Sequence, residues 1–166
     1  YICASPFPYD GIFRRAVLNF KFHNCGAYAE LLSHEMVRSI KDVYRDRKFD
    51  LVTCVPMHKD TLRERGYNQA ELLAKECARL LGIEYADLLV KTKKNKTQHS
   101  IKAAERAKNV IGVYSPIDKN LIKGKRILII DDIITTGSTL GECARILNKC
   151  KCGEICCCTL CTSLLI

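Results

Sequence analysis

Apolar residues recur at helical spacing through the first forty positions. Ile12, Phe13, Val17 and Phe20 share one side of a helix over residues 10–20, with Asp10 placed to cap it. Leu31, Leu32, Met36, Val37 and Ile40 do the same for a helix over residues 27–41. The pattern then changes. Residues 51–55 form a short apolar run that Pro56 stops, which predicts a strand. Helical spacing returns over residues 67–82 through Ala70, Leu72, Leu73, Ala74, Cys77 and Leu80, with a stop at Gly82. A strand is expected near residues 88–90, and residues 91–99, almost without apolar side chains, read as a loop. Ser100 is placed to cap a short helix to residue 108. A strand over 110–114, a turn over 115–125, a strand over 126–130, a helix ending near 148 and a strand over 154–160 complete the series. Strands alternate with helices, so the expected class is α/β with a mainly parallel central sheet flanked by helices. The 166 residues suffice for one such domain.

The most informative stretch is 127–139. Ile127, Leu128, Ile129 and Ile130 have the unbroken apolar character of a buried parallel strand. The strand ends in two carboxylates, Asp131 and Asp132, followed by Thr135, Thr136, Gly137, Ser138 and Thr139 and then a helix. Backbone N–H groups of such a turn, together with a helix N-terminus, face an anion. Gly137 permits close approach, the hydroxyls add donors, and paired carboxylates accept from vicinal hydroxyls. The combination suits a sugar that carries a phosphate. No Gly-x-x-x-x-Gly-Lys-Ser/Thr occurs, so the strand is not half of a nucleotide triphosphatase site. It also comes too late in the chain for the acidic pocket of a receiver domain. Ligands of parallel sheets lie at the carboxyl ends of strands, which puts Asp131, residues 56–58 and the 91–99 loop on one rim.

Net charge of +9 favours anionic partners: nucleic acid, a membrane surface or a polyphosphate substrate. The basic clusters are Arg45, Arg47 and Lys48; Lys91, Lys93, Lys94 and Lys96; and Lys119, Lys123, Lys125 and Arg126. None reads as interleaved with aromatics, so a stacking platform for single strands is not indicated, and single-stranded DNA contact is expected to be weak at most. No run approaches the roughly 20 apolar residues of a membrane span. Eleven cysteines without a secretory signal imply a reducing, cytoplasmic setting rather than a disulfide scaffold. Cys150, Cys152, Cys156 and Cys158 have conceivable zinc spacing, but neighbours on a strand point to opposite faces, so the cysteines are read as core.

The 127–139 run resembles the phosphoribosyl-pyrophosphate (PRPP) motif of type I phosphoribosyltransferases. Three further segments extend the resemblance to the ComF-type competence family: Val55-Pro56-x-His58 with Arg63-Glu64-Arg65-Gly66-Tyr67-Asn68-Gln69-Ala70; Gln98-x-x-Ile101 with Arg106-x-x-Asn109-Val110; and Tyr9-Asp10-Gly11-x-x-Arg14. The resemblance implies a type I phosphoribosyltransferase fold with a flexible hood loop at about residues 91–100. It implies PRPP with Mg²⁺ as ligand, a nitrogen nucleophile as acceptor and pyrophosphate as leaving group. Asp131 and Asp132 would hold the ribose hydroxyls at the catalytic centre, and Thr135, Thr136, Gly137, Ser138 and Thr139 the 5′-phosphate. Pro56, His58, Lys59, Arg63 and Arg65 would face pyrophosphate, and Lys91, Gln98 and Arg106 would belong to the hood. No direct protein ligand to the metal is expected. His58 and His99 are general-base candidates by residue type. Family members are linked to uptake of transforming DNA, which points to competence or DNA-processing proteins as partners. A non-catalytic PRPP- or nucleotide-binding adaptor is the alternative, and a homodimer is an open option. Many members carry an N-terminal four-cysteine zinc module that this chain lacks, which reads as truncation or natural loss. Lys91 stands where Arg is expected, and Thr135 replaces an acidic residue common in purine-salvage members.

Overall fold

The computed structural model describes residues 2–22, 26–93 and 110–164. Its elements in order are β1 (Cys3–Ala4), β2 (Phe7–Pro8), α1 (Gly11–Phe22), α2 (Gly26–Tyr44), β3 (Leu51–Cys54), α3 (Lys59–Arg65) and α4 (Gln69–Leu81). There follow β4 (Glu84–Tyr85), β5 (Leu89–Lys91), β6 (Tyr114–Pro116), α5 (Lys119–Ile122), β7 (Arg126–Ile134), α6 (Ser138–Lys149) and β8 (Glu154–Thr162). The main sheet runs β1-β8-β7-β3-β4, with β2 also pairing β8, and every pair in it is parallel. Among the described residues no helix is long and apolar enough to cross a membrane.

The apolar run of β7 works because both of its faces are covered. Leu128 and Ile130 join Val52, Cys54, Cys156 and Cys158 in a layer closed by Phe20, Met36, Ile40, Leu73 and Cys77 from α1, α2 and α4. Ile127 and Ile129 join Leu51, Ile155 and Cys157 beneath Cys143, Ile146 and Leu147 of α6. Side chains alternate across a strand, so neighbours are sorted into opposite layers. The cysteines follow that rule: Cys156 and Cys158 enter one layer and Cys157 the other, all of them buried. They pack as small apolar residues, in keeping with their reading as core.

Three expectations are corrected. Residues 110–113 are not strand; Gly112 turns the chain with φ +71°, and the strand begins at Tyr114 and pairs antiparallel with β5 in a separate ribbon. The 115–125 segment is not all turn, because Asp118 accepts the Asn120 N–H at 2.8 Å and caps α5. The strand over 126–130 continues through both carboxylates to Ile134, held by its pairing of Asp131 with Thr159 and Ile134 with Thr162. The expected helix over 100–108 lies outside the described residues.

Candidate active site

Two strand ends and the loops behind them build the site. After β3, the segment 55–58 leads into α3, whose N-cap is His58: its Nδ1 accepts the Asp60 N–H at 3.3 Å. Gly66, at φ +87°, ends α3 and donates its N–H to the Leu62 carbonyl. Asn68 then caps α4, its side chain accepting the Ala70 N–H at 3.2 Å. Its other end donates from Nδ2 to the Val55 carbonyl at 3.1 Å. One buried amide thus joins the end of a strand to the start of a helix.

The second strand end carries the carboxylates. Asp131 and Asp132 are half-buried, and the Asp132 N–H donates to Asp131 Oδ1 at 2.9 Å. Beyond them Ile134 is buried, and its carbonyl accepts the Ser163 N–H at 2.9 Å, which pins the start of the turn to the end of β8. Thr136 and Ser138 hydroxyls lie 2.8 Å apart. Gly137, at φ +72°, is the N-cap of α6 and makes no side-chain capping bond. The Ser138 N–H donates to Thr136 Oγ1 at 3.4 Å, and the first turn of α6 lines a small hollow of about 30 Å³ together with Asp131 and residues 133–137. Partial positive charge at the start of this helix favours an anion there.

Next to it is a cleft of about 250 Å³. It is lined by Asp131, Asp132 and Thr139 from the β7–α6 segment, Pro56, His58 and Arg65 from the β3–α3 segment, and Lys91 and Tyr114 from the β5–β6 ribbon. Asn68 and Gln69, at the start of α4, line it too, and Arg65 Nη1 donates to Gln69 Oε1 at 3.1 Å. The Lys91 ammonium sits over the Tyr114 ring, 5.5 Å from its centroid. Burial pushes the Lys91 pKa down, against the opposing field of nearby negative groups that include Asp131.

Of the residues singled out by sequence, Asp131, Asp132, Thr139, Pro56, His58, Arg65 and Lys91 come together on this cleft. Thr135, Thr136, Gly137 and Ser138 line the adjoining hollow, which shares Asp131 and Thr139 with it. Lys59 and Arg63 are exposed on α3 and are not part of the cleft wall. Gln98, His99 and Arg106 lie outside the described residues. His58 has its Nδ1 engaged as a cap, leaving Nε2 as the ring nitrogen free of that task. The sequence reading gave no site role to Asn68, Gln69 or Tyr114. The first two were legible as amides beside a helix start. Tyr114 carried no signal, because its place depends on the β5–β6 ribbon.

Among the described residues, no three His, Cys, Asp or Glu side chains converge into a metal site. Two half-buried carboxylates on a cleft do fit a Mg²⁺ ion that shares oxygens with a bound diphosphate and needs few protein ligands.

A family model, the phosphoribosyl transferase domain, matches residues 68–164. The chain belongs to that family. The matched stretch of this phosphoribosyltransferase domain includes α4, both cleft carboxylates and the turn of residues 135–139. Competence protein F of Haemophilus influenzae is 33% identical over 144 residues, covering 84% of this chain and 63% of that protein. Competence protein ComFC of Bacillus subtilis is 31% identical over 152 residues, covering 91% of this chain and 60% of that protein. The chain thus spans under two thirds of the length of either relative, and the two support a ComF-type assignment within the phosphoribosyltransferases. Among solved structures, the glutamine PRPP amidotransferase of B. subtilis superposes with a TM-score of 0.56 at 17% identity, over 95% of this chain and 31% of that one. At that identity the likeness is one of fold.

Proposed function

We propose that this domain binds PRPP together with Mg²⁺ and transfers its phosphoribosyl group to a nitrogen acceptor, with release of pyrophosphate. The observation that carries the proposal is the meeting of a carboxylate pair, a helix start at Gly137 and two cations, Arg65 and Lys91, on adjoining hollows. Each of the three suits one part of PRPP. Asp131 and Asp132 accept from the ribose hydroxyls. The amides of residues 137–139 and the hydroxyls of Thr135, Thr136, Ser138 and Thr139 hold the 5′-phosphate. Arg65 and Lys91 both line the cleft and supply positive charge for the pyrophosphate, and Arg is suited to bidentate phosphate contact.

Bond breaking at the anomeric carbon leaves positive charge on the sugar and negative charge on the departing diphosphate. A domain of this kind contributes positioning and charge stabilisation rather than covalent chemistry. Mg²⁺ would supply further neutralisation of the diphosphate. On this reading the half-buried carboxylates would face the sugar, and Arg65 and Lys91 the leaving group. The likeness to competence proteins adds a biological setting: we assign the domain to the handling of transforming DNA in the cytoplasm.

Calorimetric titration of PRPP in the presence of Mg²⁺ tests the proposal. The intact protein is expected to bind, and Asp131→Asn/Asp132→Asn to lose binding. Pyrophosphate release with ammonia or a screened amine then establishes transfer. Binding without release across the screen would favour a PRPP-binding adaptor, and no binding by the intact protein would overturn the proposal.

A further inference from the structure

A second cavity lies at the other end of the sheet. Its volume is about 410 Å³, and it is formed where α2 and α4 end and where β7 begins. The cluster Arg45, Arg47 and Lys48, which the cleft leaves unused, converges here with Lys41 and Arg126. Tyr44 and Phe49 bracket this cluster in sequence and line the same cavity, their rings edge-on with centroids 5.8 Å apart. The reading of these cations as free of aromatic neighbours is therefore corrected.

The cations differ in kind. Arg126 makes a two-pronged pair with Asp50, at 2.6 and 3.0 Å, and Arg47 pairs with Glu154. Those two are neutralised, but Arg47 also lays its guanidinium over the Tyr44 ring, 5.9 Å from the centroid. Lys41, Arg45 and Lys48 are exposed, and no carboxylate is recorded against them among the described residues. Arg45 has a positive φ of 42°, which a side-chain-bearing residue adopts at a cost. Glycine would relieve it, so the strained backbone is tolerated together with a rim cation.

We infer that this cavity is a binding site for a nucleoside monophosphate, separate from the PRPP cleft. Three unpaired rim cations suit a phosphate dianion. The exposed Arg47 guanidinium and the half-buried Phe49 ring, backed by Leu81 and Ile83, suit a base, while the buried Tyr44 ring supports the guanidinium from beneath. A bare phosphate would leave that apolar wall unused. The cavity volume falls in the range of roughly 300–1,000 Å³ common for small-ligand sites. Its position is also independent of the cleft: the cleft uses the end of β3 and the start of α4, this cavity the opposite ends of both.

The probe is adenosine 5′-monophosphate, followed through the backbone amide resonances of the isotope-labelled protein. Its addition is expected to shift amides of residues 40–49 and 81–83. The variant Lys41→Ala/Arg45→Gly/Lys48→Ala should lose roughly tenfold or more in affinity there, the factor that lost charge-assisted phosphate contacts supply. Asp131→Asn/Asp132→Asn should leave that binding unchanged, so failure of the PRPP assignment and failure of this one are read separately. Adenosine alone and inorganic phosphate alone are each expected to bind much more weakly. Inorganic phosphate matching the nucleotide would overturn the base contact, and adenosine matching it would overturn the phosphate contact. Shifts confined to residues 134–140, or an oligonucleotide binding this cavity far more tightly than the mononucleotide, would also overturn the inference.

Discussion

The Asn68 side chain donates to the Val55 carbonyl at 3.1 Å while accepting from the Ala70 N–H at 3.2 Å. These two bonds tie the segment that carries Pro56 and His58 to the start of α4, which carries Gln69. Aspartate has the same shape but no N–H to give. Asn68→Asp should therefore keep the cap and set a carboxylate against a carbonyl inside a buried site. A loss of roughly 1–3 kcal/mol in stability is expected, the cost of leaving such a group unsatisfied. PRPP affinity should fall further than the stability loss alone explains, because that segment itself moves. Urea denaturation combined with PRPP titration checks both; unchanged affinity in a fully folded variant would remove Asn68 from the site.

A comparable tie is made by Glu142 on α6, which accepts the Gly112 N–H at 2.8 Å and two bonds from Arg145 at 2.6 and 2.7 Å. It anchors the turn before β6, and hence Tyr114, to the helix whose start lines the small hollow beside Asp131. The Arg145 guanidinium, and after it the Gly112 N–H, hold this carboxyl below its usual 4.5. The sign follows directly. A carboxylate with a depressed native pKa adds stability above its ordinary value and loses it as pH falls through the native value. Glu142→Gln should lower Tm by about 2–4 °C at neutral pH, as a modest loss does in a domain of this size. The gap between the two proteins should narrow as pH is lowered below 4.5. A constant gap across that window, read by thermal melts at fixed ionic strength, would show that the charge of Glu142 is not what matters.

The parts of this molecule that were legible in the sequence are those set by local chemistry. The apolar run 127–130, the carboxylate pair and the hydroxyl turn were readable because strand, ligand donors and helix start are consecutive. So was the stop at Gly82, where one residue decides a boundary. What escaped was set by distant partners. β1 and β2 are two residues each and are strands because β8 offers an open edge. The short α3 was hidden because its cap is His58, a residue outside the usual capping set. Tyr114 reaches the cleft through an antiparallel pairing with Lys91 that no periodicity announces. Tyr44 and Phe49 were present in the sequence on either side of a basic run. Only the end of α2 and the turn at Arg45 bring them into one wall.

Gly137 has φ +72°, and a methyl group there would meet only Ile134 Cδ1 at 3.8 Å, an ordinary contact. Space is thus not the constraint, and the backbone angle is. Gly137→Ala should cost about 1–2 kcal/mol, the penalty for a side chain in the left-handed region. Gly137→Asn should cost less, since Asn tolerates that region best among side-chain-bearing residues. The order Gly, Asn, Ala is expected in denaturant midpoints and again in PRPP affinity, because both depend on the turn that lines the hollow. Equal affinities despite ordered stabilities would detach the turn from phosphate binding.

Lys91 sets stability against binding. Its ammonium is half-buried beside Tyr114, and burial lowers its pKa in the folded protein. A lysine with a depressed native pKa carries a cost at every pH below that value, where it is charged folded and unfolded alike. The cost is relieved as pH rises between the native value and the ordinary lysine value. Lys91→Met keeps the length and apolar stem and removes the charge, so the unliganded variant should be more stable than the native protein at neutral pH. A polyanion in the cleft reverses the balance, because it favours the charged ammonium. Lys91→Met should therefore weaken PRPP binding by roughly tenfold, the loss of one charge-assisted contact. The same reasoning predicts proton uptake by the native protein when PRPP binds near or above the lowered Lys91 value. Uptake is read from calorimetry in buffers of different ionisation enthalpy, and it should be absent in Lys91→Met. If the variant is less stable and takes up protons as the native protein does, Lys91 is a packing residue and the positive charge for the pyrophosphate rests on Arg65 alone.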